Sequence, residues 1–392
     1  MALPADQPAG TTVEALSGRR SEDLPAVPEG WKTMSDRLRL GFLCAHDPYD
    51  RNSFSGTPSY MLDALQRCGS VELRVLGPWR PGLWGRILRK LRKRMGAKVG
   101  VPRASEMAGL DWVIIPVSSH LVAAHPEGAP GFVHVTDATP QFLRDFYNYD
   151  IPPESDKGEA AAIGHAAKVI YSSDFMARRA ISEFGAQYAP RIHAVSFGLN
   201  LETLPPPPEP KPAPQPFLQL LFVGRDWQRK GGDVALAATE ALNRRGIPTR
   251  LTVIGCDPGG LDGRADIEVI PFLDKNRPED YARLTRAFAE AHFFILPTRA
   301  DCTPMVVAEA NAYGTPVLIS DIGGISSLIE PGQNGEMLPP DADGNAYADR
   351  IAALIADPQA FEALCASSYA WCRDHLTWDA WANDIVKTLE TS

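Results

Sequence analysis

From residue 38 onward, short apolar runs alternate with stretches whose apolar positions recur every three or four residues. That is the signature of buried strands joined by amphipathic helices. Runs at 38–43, 71–76, 112–115, 132–135 and 169–171 read as strands, with helical stretches at 58–67, 159–167 and 175–184 among them. A proline-rich run at 205–212 can join neither helix nor sheet, and beyond it the alternation begins again. Strands are expected at 218–223, 250–254, 267–270, 293–296 and 317–320, and helices at 233–245, 278–289 and 305–313. Interleaved strands and helices imply parallel, doubly wound sheets, so two α/β domains separated by a stiff spacer are expected. The division is an extension at 1–36 without periodicity and expected to be disordered, a domain at 37–204 and a linker at 205–216. A second domain at 217–370 and a closing helix at 371–392 complete it.

Composition narrows the class. A chain of 392 residues with a formal net charge of -9 fits a two-domain soluble protein and disfavours nucleic acid as a partner, because the phosphate backbone would repel it. The six cysteines are scattered without metal-ligand spacing, so they read as reduced thiols and no metal site is expected. No secretion signal and no run of eighteen apolar residues is present, which points to the cytoplasm.

Two segments of the second domain carry chemistry. In Phe222-Val223-Gly224-Arg225-Asp226-Trp227-Gln228-Arg229-Lys230-Gly231-Gly232-Asp233 a buried strand ends in glycine, and a cationic loop leads into a helix. Arg225 and Lys230 can neutralise a diphosphate there, with Arg229 expected to matter little. A solvated charged loop is the plainer alternative, but the position between strand and helix favours an anion site. In Leu296-Pro297-Thr298-Arg299-Ala300-Asp301-Cys302-Thr303-Pro304-Met305-Val306-Val307-Ala308-Glu309, two carboxylates are separated by seven intervening residues. Thr303 suits a helix N-cap and Pro304 the first helical position, with Asp301 just outside the helix. Glu309 is flanked by apolar neighbours, so its carboxylate calls for a partner. A capping Asp followed by a solvated Glu would be the ordinary reading of the spacing alone.

These segments resemble the retaining glycosyltransferases of family 4, the glycosyl transferases group 1, which have the GT-B fold: two doubly wound Rossmann-like domains facing each other across a cleft. The resemblance implies a metal-independent, retaining hexosyltransferase that moves a sugar from a nucleotide diphosphate sugar to an acceptor hydroxyl. That acceptor would be a glycan, a lipid-linked sugar or a small glycoside in cell-surface polysaccharide or glycoconjugate synthesis, and no cofactor is implied beyond the donor co-substrate. Residue by residue, Arg225 and Lys230 align with the diphosphate ligands, Asp301 with the residue contacting the transferred sugar, and Glu309 with the ribose ligand. Gly56, in Phe54-Ser55-Gly56-Thr57, falls where the family has a glycine-rich loop near the donor phosphates. His134 and Asp137, in Phe132-Val133-His134-Val135-Thr136-Asp137, fall where a His or His-Asp pair faces the reacting sugar. A structural histidine and a turn aspartate are the alternatives for these two. The family's first acid is Glu rather than Asp301, and its aromatic-glycine pair is replaced by Thr303 and Pro304. Pro304 has no amide hydrogen, so backbone contacts to the donor fall to Thr303, Met305 or Val306. A sugar-nucleotide epimerase and a non-catalytic sugar-nucleotide-binding protein are the competing readings.

One further motif stands apart. The run Leu83-Trp84-Gly85-Arg86-Ile87-Leu88-Arg89-Lys90-Leu91-Arg92-Lys93-Arg94-Met95 gathers apolar positions on one helical face opposite clustered cations. Such a helix either lies on an anionic membrane, placing the protein peripherally on the inner face, or packs on its own domain.

Overall fold

The structure, a computed structural model, describes residues 37–391 except 52, 80, 81, 83, 84, 86, 88–90, 92–94, 96–98, 202, 210, 212–215, 262 and 276. The expected extension at 1–36 and most of the basic run at 83–95 lie outside the described residues.

Two wholly parallel six-stranded sheets form the frame. The first contains β1 (Leu38–Phe42), β2 (Val71–Val75), β3 (Trp112–Pro116), β4 (Gly131–Thr136), β5 (Lys168–Tyr171) and β6 (Ile192–Ala194), in the order β2-β1-β3-β4-β5-β6. The second contains β7 (Leu218–Val223), β8 (Thr249–Ile254), β9 (Ile267–Ile270), β10 (Phe293–Leu296), β11 (Val317–Ser320) and β12 (Gly335–Leu338), in the order β12-β11-β10-β7-β8-β9. Central strands such as β10 and β11 are buried along their whole length, as a sheet covered by helices on both faces requires.

The helices are α1 (Thr57–Arg67), α2 (Ser119–Ala123), α3 (Pro140–Tyr147), α4 (Glu154–His165), α5 (Asp174–Phe184), α6 (Gly232–Arg244), α7 (Pro278–Glu290) and α8 (Val306–Asn311). Three more follow: α9 (Gly344–Ile355), α10 (Pro358–His375) and α11 (Trp378–Glu390). The first sheet carries an apolar cluster on each face, one around Val113, Phe132 and Tyr171, the other around Phe42, Ile114 and Val133. A single large cluster around Phe222, Phe293, Phe294 and Tyr347 makes the core of the second sheet.

The chain crosses between the sheets twice. It leaves the first along 195–217, where Tyr369 donates to the Pro205 carbonyl at 2.9 Å and ties the proline run to the second domain. It returns at the end: α10 stops at His375, with Trp371 inside it, and α11 starts at Trp378, later than the helix expected at 371–392. Trp378, Trp381 and Ile385 of α11 are buried in the first domain's cluster, and Arg67 pairs with Asp379 at 2.7 Å. Next to this crossing, Gly198 packs so tightly that an added Cβ would lie 2.2 Å from the Trp378 nitrogen.

Strand order locates the ligand rim. In the second sheet the chain runs outward through β7, β8 and β9, then restarts at β10 on the other side of β7, so the order reverses between β7 and β10. Crevices at the carboxyl ends of such strands are where parallel sheets bind ligands. The loops leaving β7 and β10 are the two segments singled out from the sequence.

Candidate active site

Lys230 and Asp301 come from those two loops, and glycine is what lets the loops meet. Gly231 has φ +73°, and a Cβ there would lie 1.9 Å from the Pro297 carbonyl oxygen. Both conditions exclude any other residue without backbone movement. The loops are then stitched together: Arg299 N–H donates to the Arg229 carbonyl at 2.8 Å, Arg229 donates to the Ala300 carbonyl at 2.7 Å, and Arg299 grips Asp233 at the start of α6. The Lys230 ammonium pairs with the Asp301 carboxylate, both nearly buried. Gly323 and Gly324, just past β11, pack against the far side of the loop, where added Cβ atoms would collide with the carbonyls of Asp301 and Cys302.

The first domain reaches over the same loop. Cys302 is buried within its Val113–Phe132 cluster and Met305 packs against its Phe42–Val133 cluster. Tyr147, the last residue of α3, accepts the Cys302 N–H at 2.9 Å and donates to Asp301 Oδ1 at 3.1 Å. The Arg229 guanidinium lies 4.5 Å from the centre of the Tyr147 ring, at cation–π distance. Ser172 and Thr303 share a hydrogen bond at 2.5 Å. Thr303 therefore does not cap α8, which has no side-chain cap; its hydroxyl is committed across the cleft instead. Met305 and Val306, in the first turn of that short helix, keep amide hydrogens with no backbone acceptor among the described residues.

Glu309 is 2% exposed in α8, and Lys275, from the loop after β9, holds its Oε1 at 2.6 Å. Glu309 Oε2 is buried without a hydrogen-bond partner. An unpaired buried carboxylate oxygen costs about 1–3 kcal/mol or more, so this atom awaits a donor. Arg225 is exposed and forms no ion pair among the described residues.

In the first domain, Asp137 follows β4 at the carboxyl rim. Burial first, and then the negative charge of Asp301, push its carboxyl above the usual aspartate range. Gly56 sits at the N-cap of α1 with φ +89°, where a Cβ would meet the Tyr60 ring at 2.9 Å and the Arg51 carbonyl at 3.0 Å. The structure does not bring His134 to this group. It is fully buried in mid-strand, with Nε2 at 3.1 Å from Glu159 of α4. Burial alone would raise the Glu159 carboxyl, but the charge and hydrogen bond of His134, with bonds from Ser119 and Tyr171, hold it below the usual glutamate range. His134 is therefore hydrogen-bonded to a buried carboxylate within the first domain.

Arg225, Lys230, Asp301 and Glu309 thus share one rim, with Asp137 at the carboxyl rim of the first sheet; Lys275, Tyr147 and the Gly323–Gly324 pair escape the sequence reading, and Arg229, ranked low there, is bound to the Ala300 carbonyl and the Tyr147 ring. The glycine pair has a visible signal in its tandem after a strand. Lys275 and Tyr147 have none, being a lone loop cation and a lone aromatic. Among the described residues no three His, Cys, Asp or Glu side chains converge as a metal site would require. The cysteines are free, and burial pushes the Cys44 thiol up to about 11 and that of Cys372 up to about 12, which keeps them protonated and unreactive. A cavity of about 670 Å3 lined by Lys211, Phe217 and Arg250 lies at the opposite, amino-terminal end of the second sheet. No helix among the described residues is long and apolar enough to cross a membrane.

Residues 218–357 match the family model described as Glycosyl transferases group 1. Curated relatives include D-inositol 3-phosphate glycosyltransferase 1 of Catenulispora acidiphila, 27% identical over 61% of this chain and 60% of its own length. The D-inositol 3-phosphate glycosyltransferase of Pseudarthrobacter chlorophenolicus is 30% identical over 53% of this chain and 52% of its own. The chain thus spans between half and three fifths of the curated relatives it matches. Among solved structures, sucrose-phosphate synthase from Thermosynechococcus elongatus superposes with a TM-score of 0.61 at 18% identity, covering 90% of this chain and 98% of that one. Anabaena HepE in complex with UDP gives a TM-score of 0.57 at 14% identity, covering 91% and 100%. Residues 218–357 are thus similar to the glycosyl transferases group 1 domain, within a chain that has the two-domain GT-B fold.

Proposed function

We propose that the chain is a glycosyltransferase that moves a sugar, with retention of configuration, from a nucleoside diphosphate sugar to an acceptor hydroxyl in the cleft between its domains. The observation that carries this reading is Glu309: a buried carboxylate with one oxygen held by Lys275 and the other unpartnered, beside a cationic loop at the sheet's reversal point. A ribose hydroxyl would supply the missing donor. Lys230 and Arg225 would then hold the diphosphate, the amides of Met305 and Val306 would face its oxygens, and Asp301 would bind the transferred sugar.

In the reaction the bond from the anomeric carbon to the diphosphate oxygen breaks, and a bond from the acceptor oxygen to that carbon forms. The acceptor proton passes to the departing diphosphate. Negative charge grows on the diphosphate as it leaves, which is where Lys230 and Arg225 contribute. These cations serve without a metal ion in this proposal, and Asp137 would meet the sugar from the first domain.

The UDP bound to Anabaena HepE supports uridine nucleotides as the first donors to try. The curated relatives' names support a phosphorylated polyol among the acceptors. Ile87, Leu91 and Met95 of the basic run are 41%, 49% and 78% exposed, which supports contact with an anionic membrane and a lipid-linked acceptor. The test is incubation with uridine, guanosine and adenosine diphosphate sugars over an acceptor panel, following nucleoside diphosphate and glycoside. Donor binding without either product would leave a binding protein, and an epimerised donor an epimerase.

A further inference from the structure

The Tyr147 hydroxyl makes two bonds at once, accepting from the Cys302 N–H and donating to the Asp301 carboxylate. One oxygen that accepts from a backbone amide and donates to a carboxylate does what a sugar hydroxyl does in a protein site. Both partners belong to the loop that the proposed function assigns to the donor sugar, whereas Tyr147 belongs to the opposite domain. The single Cys302 amide hydrogen cannot serve phenol and sugar hydroxyl at once. The ring is also fixed in place, with Arg229 over it and α3 ending at Asn148, whose φ of 52° turns the chain away.

We infer that Tyr147 is a sugar-mimicking latch: its hydroxyl occupies the donor-sugar subsite at Asp301 and Cys302 until a nucleoside diphosphate sugar displaces it. The inference rests on the glycosyltransferase reading and adds a determinant that neither the family match nor the family motifs contain. A bare nucleoside diphosphate fills the site without reaching Asp301, so it leaves the latch closed; only the sugar-bearing donor opens it. Burial and the nearby Asp301 charge raise the phenol's pKa, so it remains a donor throughout the working pH range.

The test compares binding of UDP and UDP-glucose, with GDP and GDP-mannose as a second pair, by calorimetry on the unaltered protein and on Tyr147→Phe. Removing the competing hydroxyl is expected to tighten the sugar nucleotide about 3- to 10-fold while the diphosphate stays within about 2-fold. Arg229→Gln, which frees the ring but keeps a donor for the Ala300 carbonyl, is expected to act in the same direction and serves if Tyr147→Phe folds poorly. Equal changes for both ligands would make Tyr147 a strut between domains and overturn the latch. Weaker sugar-nucleotide binding with unchanged diphosphate binding would make it a direct sugar ligand, which also overturns it. If the unaltered protein binds none of the four nucleotides, the donor reading itself fails and takes the latch with it.

Discussion

Lys275 and Glu309 meet at 2.6 Å although they lie 34 residues apart and on different elements, and Lys275 is the side chain that holds a carboxylate only 2% exposed. Without Lys275, both Glu309 oxygens would be buried without a partner.

Lys275→Met is therefore expected to cost about 1–3 kcal/mol, less than a fully buried pair because Lys275 keeps some solvent contact. Adding Glu309→Gln to that variant should restore part of the stability but not nucleotide affinity. Urea unfolding of the two single variants and the double closes the cycle; strictly additive losses would mean that the pair is not coupled.

Arg225 and Lys230 are expected to separate under substitution. Either change to Met should weaken nucleoside diphosphate binding about 10- to 100-fold, the worth of a charge-assisted contact. Only Lys230→Met should also lower stability, because it takes the ion-pair partner from the nearly buried Asp301 carboxylate. Arg225 has no protein partner among the described residues, so its removal should leave the unfolding free energy within about 0.5 kcal/mol. Calorimetric binding and thermal unfolding of each variant decide it.

Gly231→Ala should lose about 2–4 kcal/mol, since the new methyl needs both a left-handed backbone and the space of the Pro297 carbonyl. Gly246→Ala is the control, with a similar φ of +79° and nothing within 4 Å. A loss at Gly231 no larger than the control's would show that the two loops can separate freely.

Burial, reinforced by the charge of Lys211, lowers the His292 pKa from 6.5 to about 4, and neutral Nδ1 accepts the Gln219 N–H at 3.0 Å. Below pH 6.5 the unfolded chain takes up a proton that the folded chain refuses, so stability falls as pH drops from about 6.5 towards 4 and this contribution levels off below that. Unfolding at pH 7 and pH 4.5 should show a smaller acid loss for His292→Gln than for the parent. Identical losses would remove His292 from the account.

Burial above all, with the charge of Asp301 added, raises the Asp137 pKa, so its ionised form is held in the fold at a cost in stability. Asp137→Asn should melt at a higher temperature while glycosyl transfer falls, the usual exchange between stability and activity at a strained site. A variant that is both less stable and fully active would contradict both roles.

Strands such as β10 and β11 are legible because each is an unbroken apolar run fixed by burial on two faces, and the diphosphate loop because glycine and cation fall between strand and helix. Strands β6 and β12 escape notice for the converse reason: three or four residues, partly exposed, carry too little periodicity. The role expected of His134 shows another limit. A histidine on a strand looks alike whether it faces a substrate or a buried Glu159, and only the packing of α4 distinguishes the two. Arg229 ranks below Lys230 by its place in the motif, yet its partner Tyr147 arrives from the other domain, a pairing invisible along the chain.

The pairing of Arg67 with Asp379 joins residues 312 positions apart, and α11 covers an apolar face of α1. At synthesis rates of about 5–20 residues per second, roughly 15–60 s pass between the emergence of these two segments. Throughout that interval the amino-terminal half waits on the ribosome with an oily flank uncovered, dependent on chaperones or on its own solubility, and its folding finishes only after the half that follows it has been made.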